Sequence, residues 1–225
     1  MWCVSELDAE YVERMEDVLD VYARPFDPRE PVVCLDEKPV PLRSDARPLQ
    51  ECRPSRIRRR DSEYVRHGTA NIFCALEPKA PQRFSRVTPN RSGREFAKMV
   101  ASLERKYPEA DTIHLVMDNL NTHVEKFVTD TYGAKEGARI WERFTIHYTP
   151  KHGSWLNQAE IENSLLGRQV LGLRRIPEIT MLRDEVAAWN RYAARRRLTI
   201  NWRFTKAKAR KTFGYKKSDF TRSRD

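Results

Sequence analysis

Apolar and polar residues alternate along this chain in two rhythms, one of helices and one of buried strands. Over residues 8 to 22, Tyr11, Met15, Val18, Leu19 and Tyr22 recur at helical spacing, which predicts an amphipathic helix with an acidic outer face. The proline-bearing segment Arg24 to Pro31 ends it. Val32-Val33-Cys34-Leu35 is a continuous apolar run, expected to be a short strand buried on both faces that stops at Asp36. Residues 43 to 67 are polar, with Arg53, Arg56, Arg58, Arg59 and Arg60 clustered, and read as a loop leading into a strand near Glu63 to Val65. Thr69 to Leu76 and, more weakly, Phe84 to Thr88 predict further strands.

Ser92-Gly93-Arg94-Glu95 has the form of a capping box, and Phe96, Met99, Val100, Leu103 and Tyr107 follow on one helical face up to Pro108. Ile113 to Met117 is a second buried-strand run, and it too meets an acid, Asp118. Thr122 to Glu125 predicts another box, opening a helix closed by Gly133. The strand Phe144 to Tyr148 leads through Thr149-Pro150-Lys151-His152-Gly153-Ser154 into a helix that carries Glu160. Leu182, Val186, Trp189 and Ala193 mark one more amphipathic helix. Strands alternating with helices predict an α/β fold, a mixed central sheet flanked by helices.

At 225 residues the chain suits one or two domains with a proper core. Its net charge of +10 is unevenly placed: Arg191 to Asp225 holds 13 Lys and Arg against 2 Asp, so everything before it is close to neutral. Trp202, Phe204, Phe213 and Tyr215 interleave with those charges, a pattern expected of a tail that touches nucleic acid. The cysteines Cys3, Cys34, Cys52 and Cys74 have no zinc spacing and read as reduced thiols of a cytosolic protein. No apolar run approaches the ~18 residues of a membrane helix.

Glu160 has a plain reading as a structural cap. Asn157 is a good N-cap, Glu160 falls at N3, and Leu156 with Ile161 has the spacing of a hydrophobic staple. The functional reading depends on partners. Ligands of open α/β sheets bind beyond the carboxyl ends of the strands, where Asp36 and Asp118 are expected, with Glu160 approaching the same edge. Three carboxylates without a basic partner repel one another, and the usual resolution is a divalent cation with hard oxygen ligands. Two such ions can clamp the attacking and leaving oxygens of a phosphoryl transfer. A glycosidase using two carboxylates fits the basic tail and the three acids less well.

The three acidic segments are Val33-Cys34-Leu35-Asp36-Glu37-Lys38, His114 to His123 (His-Leu-Val-Met-Asp-Asn-Leu-Asn-Thr-His), and Tyr148 to Glu160 (Tyr-Thr-Pro-Lys-His-Gly-Ser-Trp-Leu-Asn-Gln-Ala-Glu). In that order they resemble the motifs of the DDE transposases of bacterial insertion sequences in the mariner superfamily, over about Trp2 to Phe204. The resemblance implies an RNase H-like fold with catalytic and metal-holding Asp36 on the first strand, Asp118 on the fourth and Glu160 on a late helix. It implies two Mg²⁺ (or Mn²⁺) ions, with Asp36 and Glu160 holding one and Asp36 and Asp118 the other. Glu162 competes as third acid, but it lies about 200° around the helix from Glu160. The family's Asn-x-x-Glu pattern falls on Asn157 and Glu160.

Asn119 and His123 are expected to orient ligands or DNA, although His123 also reads as an exposed helix-start residue. Lys151 and His152 are expected to meet phosphate. Trp155 either stacks on a base or packs under its loop, and packing is the expectation. Arg195, Arg196 and Arg197 join the expected DNA-binding set. The implied organisation is a connector helix and linker over 1–30, the RNase H-like DDE catalytic domain over 31–200 and a basic tail over 201–225. The implied activity is metal-dependent cleavage of transposon-end DNA and strand transfer into target DNA. Its setting would be a homodimer on double-stranded DNA in the bacterial cytoplasm, at the nucleoid, with no membrane contact. Family members carry an N-terminal helix-turn-helix region, and no such pattern precedes residue 8, so a truncated transposase is expected. The alternatives are a non-catalytic DNA-binding remnant and a generic RNase H-like nuclease. Pro39 and Pro41 depart from the family, because a strand hairpin is expected where they stand.

Overall fold

The structure is a computed structural model, and it describes residues 7–47, 61–216 and 219. The arginine cluster Arg53 to Arg60, Cys3 and Cys52 lie outside the described residues. In chain order the elements are α1 (Ala9–Ala23), β1 (Val32–Asp45), β2 (Tyr64–Glu77), β3 (Gln82–Arg83), β4 (Arg86–Thr88) and α2 (Gly93–Glu104). There follow β5 (Ile113–Met117), α3 (Glu125–Tyr132), α4 (Ala134–Trp141) and β6 (Phe144–Tyr148). The chain ends with α5 (Ala159–Leu165), continued by a π-helical turn at Leu166–Leu171, then α6 (Ile179–Arg195) and α7 (Lys206–Phe213).

The six strands form one mixed sheet in the order β3-β2-β1-β5-β6, with β4 pairing β2. β1 and β2 are antiparallel, whereas β1, β5 and β6 run parallel. Period-two alternation divides the core between the two faces. Val33, Leu35, Phe73, Leu115 and Met117 point to α2, α3 and α4, burying Phe96, Val100, Leu103, Val128 and Ile140. Cys34, Leu76 and Val116 meet α1 and α7, while Val40, Ile72 and Cys74 meet the π-helical turn and α6. Cys34 and Cys74 are both buried free thiols on this second face.

Several local expectations change in the folded chain. β1 does not stop at Asp36 but continues to Asp45 as the long arm of a hairpin with β2, pairing Asp36 with Cys74. Pro39 and Pro41 sit inside that arm, opposite Asn71 and Thr69. They are tolerated because β1 pairs β5 only over Val32 to Cys34, so its outer edge at Pro39 and Pro41 has no neighbouring strand to supply with N–H donors. Asp118 follows the fifth strand rather than the fourth, since β3 and β4 are separate short strands against β2. Ser92 takes the N-cap position of α2 with an extended backbone but no side-chain cap bond, and Glu95 pairs Lys98 instead. α3 starts at Glu125, three residues after the expected cap Thr122, because His123 is drawn into the interior.

The two ends of the chain pack together. α1 is capped by Asp8, which accepts from the Tyr11 N–H at 2.7 Å. It buries Met15, Val18 and Leu19 against the sheet. The basic α7 lies on its acidic face. Arg210 makes two bonds to Glu16, at 2.8 and 2.9 Å, Lys206 reaches Asp20, and the Tyr215 hydroxyl donates to Glu16 at 3.0 Å. Trp202, Phe204, Phe213 and Tyr215 pack into the same cluster. Their rings therefore contribute to the packing of α1 and α7. No helix among the described residues is long and apolar enough to cross a membrane.

Candidate active site

The parallel register pairs Cys34 with Val116, so Asp36, two residues further along β1, and Asp118, just past the end of β5, lie at the same edge of the sheet. The third segment is brought to them by one side chain. Asn157 has an extended backbone, its Oδ1 accepts from the Ala159 N–H at 3.1 Å, and its Nδ2 donates to the Leu35 carbonyl at 2.7 Å. It acts as the cap of α5 and ties the start of that helix to β1, one residue before Asp36. The reciprocal half of the expected box is absent, because the Asn157 N–H already donates to the Ser154 carbonyl at 2.7 Å. Glu160 is left exposed, with no hydrogen bond or ion pair to its carboxylate among the described residues. The staple does not close either. Leu156 is buried against α1, whereas Ile161 stays 37% exposed.

Glu162 faces the opposite way and is fully buried. It accepts from Arg83 Nε at 2.9 Å and from the Trp189 indole N–H. Both of its oxygens serve the core under α6, so it holds the fold while Glu160 faces outward.

The Asp36 carboxylate accepts from the Glu37 N–H at 2.8 Å and from Asn163 Nδ2 at 2.6 Å. Burial pushes its pKa up to about 7, helped by the charges of Asp118, Glu160 and Glu37, against the Glu37 N–H bond that lowers it. Asp36 thus lies within electrostatic reach of both Asp118 and Glu160. Asp36, Asp118 and Glu160 are the hard oxygen donors that Mg²⁺ or Mn²⁺ takes, and a cation there would relieve their repulsion. The residues fit such an ion.

Sequence reasoning missed Glu37 and Asn163. Glu37 points to the other sheet face, where its Oε1 lies 2.7 Å from His123 Nε2. His123 Nδ1 lies 2.8 Å from Asp118 Oδ1 and 3.0 Å from the Asp118 carbonyl. The ring is buried and stacks on Phe96 at 4.7 Å. Burial alone would lower its pKa, but the bonds to Asp118 and Glu37 and the charge of Glu37 outweigh that and push it up to about 10. Glu37, Asp118 and His123 form a cluster compact enough for a metal ion. In this structure, however, both ring nitrogens already face carboxylates, so the imidazolium acts as a bridge that holds Asp118. His123 is thus a buried positioning group and not an exposed helix-start residue. An acid one residue after Asp36 was the available signal for Glu37, but no spacing in the sequence pairs it with His123.

Asn119, Lys151 and His152 line an open cleft of about 690 Å³ beside Asp118, which α1 closes with Tyr11 and Arg14. His152 adopts a positive φ of 61° at the loop tip. Trp155 packs edge-on against Phe204 at 5.2 Å, as expected. Arg195, Arg196 and Arg197 are exposed at the end of α6, and the strand-like strap after them bonds Ile200 N–H to Pro78. Pro78 follows the end of β2 that lies away from Asp118.

Residues 31–183 match the model of the DDE superfamily endonuclease family, which is more than half of the chain. The chain belongs to that family. No curated protein matches this DDE-family chain in sequence. Among solved structures it is similar to a Mos1 mariner paired-end complex with Mn, with TM-score 0.55 and 14% identity, covering 87% of this chain and 60% of that one. A Mos1 strand transfer complex gives TM-score 0.55 and 13% identity, covering 87% and 59%. The catalytic domain of Mos1 mariner transposase alone gives TM-score 0.53 and 13% identity, covering 86% and 90%. The DDE chain thus spans about 60% of the transposase chain in the paired-end complex. At these identities the likeness is one of fold, the RNase H-like sheet with its flanking helices.

Proposed function

We propose that this chain is a transposase catalytic domain that cleaves transposon-end DNA and transfers the freed strand into target DNA. The observation that carries the reading is the convergence of three acids. Asp36 on β1 and Asp118 just past the end of the parallel strand β5 support it, together with Glu160, because the charges of both help raise the Asp36 carboxyl. Asp36, Asp118 and Glu160 would hold two Mg²⁺ or Mn²⁺ ions, with Asp36 shared. Such ions, when bound, supply Lewis acidity to a phosphodiester and lower the pKa of an attacking water.

The chain's own residues do the rest. Asn163 and the Glu37 N–H aim the two oxygens of Asp36, and His123 braces Asp118 from beneath. Lys151 and His152, exposed at the cleft, fit phosphate contacts, and Asn119 lies where it can orient the strand. The first step adds water to the phosphorus and releases a 3′-hydroxyl. The second lets that hydroxyl attack a target phosphodiester in line, with the target 3′-oxygen leaving. The substrate is double-stranded DNA, the working form is a homodimer on paired ends, and the setting is the bacterial cytoplasm. The mariner complexes were solved as paired-end and strand-transfer assemblies, which supports the same class of partner here.

Supercoiled plasmid incubated with the protein, with and without Mn²⁺, tests this. Metal-dependent nicking that Asp118→Ala abolishes while duplex binding persists is the expected result. Salt-sensitive binding with no nicking by the wild type would instead make the chain a non-catalytic DNA-binding remnant.

A further inference from the structure

Lys38 shares a sheet face with Asp36, two residues further along β1, or about 7 Å. That face is covered by α5 and its π-helical continuation, and the helix offers Lys38 a glycine. A side-chain carbon added at Gly167 would stand 3.5 Å from Lys38 Nζ and 3.6 Å from its Cε, so the lysine lies directly against the bare Gly167 backbone. A methyl there would meet the lysine at ordinary van der Waals distance, whereas a longer side chain would reach into the space the lysine occupies.

The lysine makes no ion pair or hydrogen bond among the described residues. The nearby carboxylates are otherwise engaged: Glu162 with Arg83 and Trp189, and Asp36 with Asn163 and the Glu37 N–H. An ammonium that is partly buried without a counter-ion has lost hydration without recompense. Among the described residues no carboxylate answers its charge, which leaves it available to an anion from outside the chain.

We infer that Lys38, seated against Gly167, binds a backbone phosphate of the DNA strand next to the phosphate positioned at the three acids. This rests on the endonuclease reading above. It gives the strand a second fixed point beyond the acid site, on the side away from Lys151 and His152. A lysine is suited to the task as a compact point charge that needs no bidentate geometry.

The test uses the whole chain and a duplex oligonucleotide. Binding is measured in Ca²⁺ over a range of salt, and nicking of supercoiled plasmid is measured in Mn²⁺. The variants are Lys38→Gln, Lys38→Arg and Gly167→Leu, the last filling the space against the lysine. Thermal melting of each confirms folding. Lys38→Gln is expected to weaken binding to all sequences alike and to lower the slope of log K against log salt by about 1. It should also slow nicking at least tenfold, with Lys38→Arg restoring most of both, and Gly167→Leu should reproduce the loss. A wild-type protein that nicks, with Lys38→Gln matching it in rate and salt slope, overturns this assignment alone. A folded wild type that fails to nick in Mn²⁺ overturns the endonuclease reading, and the assignment falls with it.

Discussion

Asn157 Nδ2 donates to the Leu35 carbonyl at 2.7 Å, so the helix that carries the third acid is fastened to the strand that carries the first. The same side chain caps α5 through Oδ1. Replacing Asn157 by Ala removes a cap worth about 1 kcal/mol. It also leaves a buried carbonyl unpaired, at about 1–3 kcal/mol. A loss of roughly 2–4 kcal/mol in urea denaturation is expected, with the slope against urea unchanged. Asn157→Asp keeps the cap but sets a carboxylate against the Leu35 carbonyl, so it should be no more stable than Asn157→Ala. Wild-type stability in either variant would remove Asn157 as the fastener.

Glu160 and Glu162 should separate cleanly into activity and stability. Glu162→Gln strands the guanidinium of Arg83, which is 2% exposed, and such a break costs about 3–5 kcal/mol. Glu160→Gln touches no partner among the described residues, so it should melt like the wild type yet lose metal-dependent nicking. The reverse pattern in paired melting and nicking assays would exchange the two roles.

Divalent-ion binding should be proton-coupled near neutrality. The Asp36 carboxyl is raised to about 7, chiefly by burial, and must be ionised to hold a cation. As pH falls below 7 the proton competes with the ion, so Mn²⁺ affinity should drop about tenfold per pH unit. Above 7 it should level off. Calorimetry in buffers of different ionisation enthalpy would count the released proton, and a pH-independent affinity from 5.5 to 7 would contradict the assignment.

The dock of α1 on β5 and β6 should weaken in mild acid. His114 Nδ1 lies 2.9 Å from His147 Nε2, and His147 Nδ1 lies 2.7 Å from Asp17 on α1. Arg24 faces His114 Nε2 and can only donate, so the chain closes with both rings neutral. Burial lowers the His114 pKa, with the charge of Arg24 adding to it and Glu30 opposing. The unfolded chain then binds a proton more readily than the folded one. Stability from this chain is whole above the unfolded value of about 6.5 and is lost as pH falls toward the depressed folded value. His114→Gln should flatten that part of the stability-against-pH curve, while an unchanged curve would show the chain to be irrelevant to it.

The elements themselves were largely legible in the residues. Ile113 to Met117, Phe144 to Tyr148 and the stripe Leu182, Val186, Trp189, Ala193 fall where their periodicity puts them. Hydrophobic rhythm is a local record of which side of an element is buried, and the acidic segments carry a family resemblance as continuous strings. The length of β1 was hidden, because prolines read as breaks until the unpaired edge that tolerates them is known. The packing of α7 on α1 was hidden for a similar reason, since nothing near Arg210 in the chain announces Glu16 as its partner.

The sequence by itself determined the alternation of strands and helices, the acids available at their ends, and the concentration of positive charge beyond residue 190. Tertiary structure alone decided which of those acids lie free. Glu37 meets His123 across 86 residues, Asn163 meets Asp36 across 127, and Glu162 meets Arg83 across 79. Such pairings depend on strand register and helix packing, which bring distant side chains to hydrogen-bond range and are written in no local spacing. Glu160 and Glu162 stand two residues apart in one helical turn, and only the surfaces packed around that turn sent one into the core and left the other exposed.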